Sequence, residues 1–143
     1  MSTVAIPASR PWHLWVVALL TLLWNGSGAV TILLAQAGRL PSISADEAAY
    51  YAAQPFWLVI STDIATLAPV AAAIALLLRS RVAVWLFWVS LELILVNNVY
   101  ELVVGTSRTL VSQGALIVTI IIVVIAILQV VYSTAMKKRG VLS

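Results

Sequence analysis

Four long, unbroken apolar stretches constrain this chain more than any other feature. They cover residues 12–37, 55–78, 82–104 and 112–136. Each exceeds the roughly 20 residues a helix needs to cross about 30 Å of hydrocarbon. A membrane strand would need only about ten residues, alternating apolar and polar. The runs here are continuous, so helices are expected. The expected fold is all-α and integral to the membrane: a four-helix transmembrane bundle forming a single transmembrane domain over residues 1–143.

Composition agrees. Hydrophobic residues make up 63% of the chain and charged residues 9%, against about 25% charged in ordinary soluble domains. Too few polar side chains exist to coat a water-soluble core. The net charge of +3 rests on 8 scattered Lys and Arg, so no basic stripe is available for phosphates and no nucleic-acid partner is expected. Cysteine is absent and His13 is the one histidine. That removes disulfides, thiolate metal sites and a His-rich haem site, and nothing in the sequence forms a Ser/His dyad. No enzyme activity, metal or cofactor is expected.

The first stretch follows Arg10 and contains the small residues Ser27-Gly28-Ala29, as a cleaved leader does. Its apolar run continues to Ala37, longer than the 7–15 or so residues of a leader core. It is therefore read as a true span.

The connections are short. Arg79-Ser80-Arg81 makes the second and third spans a tight antiparallel hairpin. Residues 105–111 join spans three and four, and Gly105 suits a helix end. Gly38 is expected to end the first helix. In the longest link, Ser44-Ala45-Asp46-Glu47 reads as a capping box, followed by a short helix over residues 45–53. Tyr50 and Tyr51 then fall at headgroup level, and Pro55 opens the second span.

Orientation follows from charge. Arg10, Arg79, Arg81, Lys137, Lys138 and Arg139 lie on one side; Arg39 and Arg108 lie on the other. The positive-inside rule places both termini in the cytoplasm and the short helix outside it. Arg79, Arg81, Lys137, Lys138 and Arg139 act as topology anchors, and the basic tail attracts anionic headgroups.

Ionisable groups within spans are costly and need a partner, a proton or water. Asp63, Glu92 and Glu101 are such groups. Asp63, Asn97, Asn98 and Glu101 share an outer depth, and Asn97 and Asn98 lie one turn from Glu101. With the hydroxyls of Ser61, Thr62 and Thr66 nearby, they are expected to meet in an outward-facing polar pocket, or to hydrogen-bond the helices together. Arg39 and Arg108 are the expected counter-charges. Glu92 sits near the middle of span three with Trp85 and Trp88 on its face. Asn25, at similar depth in span one, is its expected partner; proton or ligand binding and an intermolecular contact are the alternatives. Asp63, Glu92, Asn97, Asn98, Glu101 and Asn25 are thus the candidates for substrate or proton binding.

Gly26, Ser27 and Gly28 are expected to let another helix approach closely, or else to break span one locally. Pro69 invites a kink near Thr66. Trp12, Trp15 and Trp57 fit interfacial belts, while Trp24, Trp85 and Trp88 are expected to pack. Span four is mostly Ile and Val and suits lipid or a partner helix.

Three segments carry a resemblance: Trp15 with Leu22-Leu23-Trp24-Asn25, Pro55-Phe56-Trp57, and the turn running from Leu76 through Arg79-Ser80-Arg81 to Val84. Together they resemble small uncharacterised four-span proteins of the bacterial inner membrane, often automatically labelled "sugar transporter". The resemblance spans nearly the whole chain. It implies a multi-pass bacterial inner-membrane protein and a small-solute, sugar-type transporter acting as an oligomer. It carries over no binding residue, and the Pro-Gln pattern of small sugar uniporters is missing. In size and span number the chain is similar to small multidrug-resistance transporters, with its membrane carboxyl in span three rather than span one. The alternative is a non-catalytic accessory or assembly subunit of a larger membrane complex. Expected partners are the lipid bilayer and either further copies of the chain or a larger membrane-protein complex.

Overall fold

The computed structural model of the chain describes residues 11–104 and 113–143. Among these residues there are five helices and no strand: α1 (Trp12–Gln36), α2 (Ala45–Ala53), α3 (Phe56–Leu77), α4 (Val82–Val104) and α5 (Gln113–Lys138). Four of them, α1, α3, α4 and α5, are long and apolar enough to cross a membrane.

Helix ends follow local chemistry. After α1, Gly38 takes φ 64°, its N–H donates to the Ala35 carbonyl at 3.0 Å, and the Arg39 N–H reaches the Leu34 carbonyl at 2.8 Å. This paired closure satisfies carbonyls that the helix leaves open. Gly140 at φ 69° closes α5 in the same way, through its own bond to Lys137 and the bond from Val141 to Met136. The end of α3 repeats the pattern with Arg79, at φ 59°, in the place where glycine is usual. At α2 the Ser44 hydroxyl accepts from the Glu47 N–H, and the Glu47 carboxylate accepts from the Ser44 N–H at 2.9 Å.

α3 lies between α1 and α4, and α5 packs on α4. The continuous core gathers toward one end of the bundle. Leu14 and Ala18 from α1 meet Ala72 and Leu76 from α3, with Phe87 and Leu91 from α4 and Ala126 and Val130 from α5. After Gly140 the chain folds back, so that Leu142 is fully buried in this core. That end also carries Arg79, Arg81 and Lys137–Arg139, and is called the basic end below. The opposite stretch of α5, from Leu116 to Val124, is largely exposed.

Pro69 does not interrupt α3. A proline has no N–H to give the carbonyl four residues earlier, here that of Ala65. The Ser90 hydroxyl of α4 donates to that carbonyl instead, at 2.7 Å, from a site only 2% exposed. In hydrocarbon a freed backbone carbonyl needs such a substitute donor.

Candidate functional site

Buried polar contacts between α3 and α4 centre on Asn97. The Ser61 hydroxyl donates to Asn97 Oδ1 at 2.7 Å, and Asn97 Nδ2 donates to the Thr62 hydroxyl at 3.2 Å. Thr66 Oγ1 in turn donates to the Thr62 carbonyl. Each polar group thus has a partner, and the arrangement ties two helices together at the depth where a pocket is expected.

Asp63 is not in this arrangement. It lies two residues past Ser61, about 200° farther round the helix. It lines a shallow groove on α3 with Ile60, Ile64, Leu67, Ala68 and Ala71. Its Oδ1 is buried without a hydrogen-bond partner. Asn98 also points elsewhere, its Nδ2 donating to the Ile94 carbonyl of its own helix at 2.7 Å. The expected meeting of Asp63, Asn97 and Asn98 is therefore corrected: Ser61 and Thr62, not Asp63, face Asn97. The expected compensation of Asp63 by Arg39 is corrected too, since Arg39 is exposed and Asp63 Oδ1 has no partner. Arg108, Gly105 and the rest of residues 105–112 lie outside the described residues.

Glu101 is half-buried at the end of α4 away from the basic end, where α2 meets it. Tyr50 Oη donates to Glu101 Oε1 at 2.5 Å. Burial, followed by this bond to a carboxylate, holds the Tyr50 hydroxyl far above its ordinary pKa of 10.0. Burial likewise raises Tyr51, whose ring meets that of Tyr50 edge-on at 5.4 Å. Trp57 of α3 and Tyr100 of α4 stack edge-to-face at 4.7 Å. α2 has no buried residue of its own, and the Tyr50–Glu101 bond ties it to α4.

Glu92 and Asn25 are not partners. Asn25 Nδ2 donates to the Thr21 carbonyl one turn back in α1, at 2.8 Å. Glu92 is exposed on the outer surface of α4, while Ser90, Leu91 and Asn97 on the same helix are buried. Glu92 lies ten residues from Val82, about 15 Å along the helix and so about halfway across the hydrocarbon. The same outer face carries Trp85 at 68% and Trp88 at 44% exposure, and Trp24 on α1 is 45% exposed. The expected packing of these three tryptophans is corrected: their rings sit outside the bundle.

Gly26, Ser27 and Gly28 do not form a helix contact. A methyl group built on either glycine meets nothing within 4 Å. α1 is also unbroken there; Ser27 Oγ donates to the Trp24 carbonyl at 2.8 Å and Thr31 Oγ1 to the Ser27 carbonyl at 2.9 Å. The hydroxyls satisfy themselves on their own backbone, which lets this segment face outward.

Two of the five topology anchors, Arg79 and Arg81, also make hydrogen bonds at the basic end. Arg79 Nε donates to the Val141 carbonyl at 2.8 Å and Arg81 Nε to the Leu142 carbonyl at 3.2 Å. The Ser143 N–H donates to the Arg79 carbonyl at 2.7 Å. The α3–α4 turn and the chain after α5 therefore share one end of the bundle. Lys137, Lys138 and Arg139 are exposed beside it. His13 Nδ1 and the Tyr132 hydroxyl, 2.7 Å apart, link α1 to α5 near the same end. Sequence reasoning missed Ser90, the Tyr50–Glu101 bond and the His13–Tyr132 bond. Only the first had a signal, because Pro69 announces a carbonyl in need of a donor.

No family model, curated protein or solved structure matches this chain.

Proposed function

We propose that the chain is a multi-pass protein of the bacterial inner (cytoplasmic) membrane, acting as a non-catalytic subunit of a membrane assembly. The outward face of α4 is its contact surface. The observation that carries this reading is the place of Glu92: at mid-depth and outside the bundle. A carboxyl left facing hydrocarbon costs at least a few kcal/mol, and Asn25 and Ser90 are bonded elsewhere. Another transmembrane helix can supply what it lacks. Both termini lie in the cytoplasm on this reading, since the basic end carries five described Lys and Arg, and α2 lies outside.

Affinity purification in mild detergent with identification by mass spectrometry tests the proposal. The wild-type chain should retain a membrane-protein partner or further copies of itself, and Glu92→Leu should release them. Retention unchanged in Glu92→Leu, or no partner with the wild type, would overturn it.

Small-solute transport by an oligomer is the second reading. Its specific support is the buried, unpartnered Asp63 oxygen beside the α3 groove. It requires Asp63→Asn to abolish uptake into vesicles while the protein still folds.

A further inference from the structure

We infer that the partner at Glu92 is a second copy of this chain, docked α4 against α4 in parallel about a two-fold axis along the membrane normal. The inference rests on the reading that the outward face of α4 is an assembly surface, and names what covers it.

Three observations converge. First, the exposed residues of α4 form a seam. Trp85, Trp88, Glu92, Leu95, Val99 and Leu102 are all exposed and are spaced alternately three and four residues apart. That is the 3.5-residue repeat by which two parallel helices wrap around each other. Second, Glu92 is the one ionisable residue in this seam, and it takes a position of the kind where a lone polar group fixes register by meeting its own copy. Copies inserted in one orientation hold Glu92 at one depth, so a two-fold axis along the membrane normal brings the two carboxyls together at mid-membrane. A carboxylic acid both donates and accepts. Two of them sharing at least one proton therefore satisfy each other with no basic group, and every Lys and Arg of this sequence lies outside the spans or at their ends. Third, the opposite face of α4 is already taken. Ala83, Val84, Phe87 and Leu91 are in the core, while Ser90 and Asn97 bond to α3.

The chain has no cysteine, so single cysteines report contacts cleanly. The full chain, purified and reconstituted in phospholipid vesicles, carries Val99→Cys in the seam or Ile74→Cys on the exposed face of α3. Mild oxidation should couple two chains through Val99→Cys and not through Ile74→Cys. Energy transfer between labelled copies at varied protein-to-lipid ratio gives the dimerisation constant. Glu92→Leu should weaken the dimer roughly 3- to 20-fold, the range for losing one interhelical hydrogen bond in a bilayer. Glu92→Gln, whose amide also pairs with itself, should keep most of the affinity. Equal self-association in wild type and Glu92→Leu would overturn the inference, as would coupling through Ile74→Cys alone. If wild type stays monomeric in vesicles while Val99→Cys in native membranes couples to another protein, the second copy is refuted and the assembly surface stands. If neither coupling occurs, both fall.

Discussion

Ser90→Ala is the sharpest test of how α3 and α4 are held. The change removes one hydroxyl and alters volume little. Ser90 is 2% exposed, and its hydroxyl donates to the Ala65 carbonyl at 2.7 Å. Pro69 leaves that carbonyl without its helical donor. Two magnitudes bracket the effect. Interhelical hydrogen bonds in membranes average about 0.6 kcal/mol and reach about 1.7, while stranding a buried acceptor costs about 1–3 kcal/mol. Ala65 is 5% exposed, so solvent offers little replacement. Ser90→Ala should therefore destabilise by about 1.5 kcal/mol, roughly 13-fold in the unfolding equilibrium. Pro69→Ala restores the missing N–H. In that background the same serine change should cost only about 0.5 kcal/mol, leaving a coupling of about 1 kcal/mol. Whatever Pro69→Ala does alone cancels in the cycle. The four proteins can be unfolded by SDS in mixed micelles and followed by tryptophan fluorescence. Equal costs of Ser90→Ala in the two backgrounds would refute the reasoning.

Arg79 combines a strained backbone with a useful side chain. Arg79→Gly relieves a left-handed conformation worth roughly 1 kcal/mol but loses the bond to Val141, whereas Arg79→Ala loses the bond and keeps the strain. The same SDS titration should rank Ala below Gly by about 1 kcal/mol; a reversed order would refute the strain. The Glu47 carboxyl is held below its ordinary 4.5 by hydrogen bonds from the Ser44 N–H and hydroxyl. Its contribution is complete above 4.5 and is lost as pH falls through the lower folded-state value. Hydrogen exchange at the Ser44 amide should therefore lose protection in that acid window, and Glu47→Gln should flatten the dependence on pH.

The long helices were legible because hydrocarbon thickness sets a length that apolar runs must meet. Position along each helix was legible for the same reason: Glu92 falls near the middle of α4 and Asn97 nearer its C-terminal end. Direction around each helix was not. In water, apolar residues on one face of a helix declare which side is buried. In lipid both sides are apolar, and α4 presents Trp85, Val96 and Val99 outward and Phe87 and Leu91 inward with equal ease. Polar residues adjacent in sequence then look like one cluster. Ser61 and Asp63 share a depth, yet only Ser61 reaches Asn97. The small residues around Gly26 failed in the same way, since their size permits close packing but does not require it.

That missing direction is what decides the meaning of a membrane carboxyl. At mid-depth and facing inward, Glu92 would be one half of a structural pair, with Asn25 as the other half. Asn25, however, bonds the carbonyl of Thr21 one turn back and can sit in a lone helix without help. An ionised carboxylate has no such escape: it has no hydrogen to offer, and a helix offers its side chains no spare backbone donor in the middle of a span. Of the two residues, Glu92 in its ionised form therefore creates the larger demand. It does so on a face whose six seam positions repeat every 3.5 residues. A solitary polar group in an apolar seam weakens binding to lipid and to every apolar helix alike, and favours a partner able to answer it at the same depth. On the proposed reading, the function of this chain is thus tied to what meets that face.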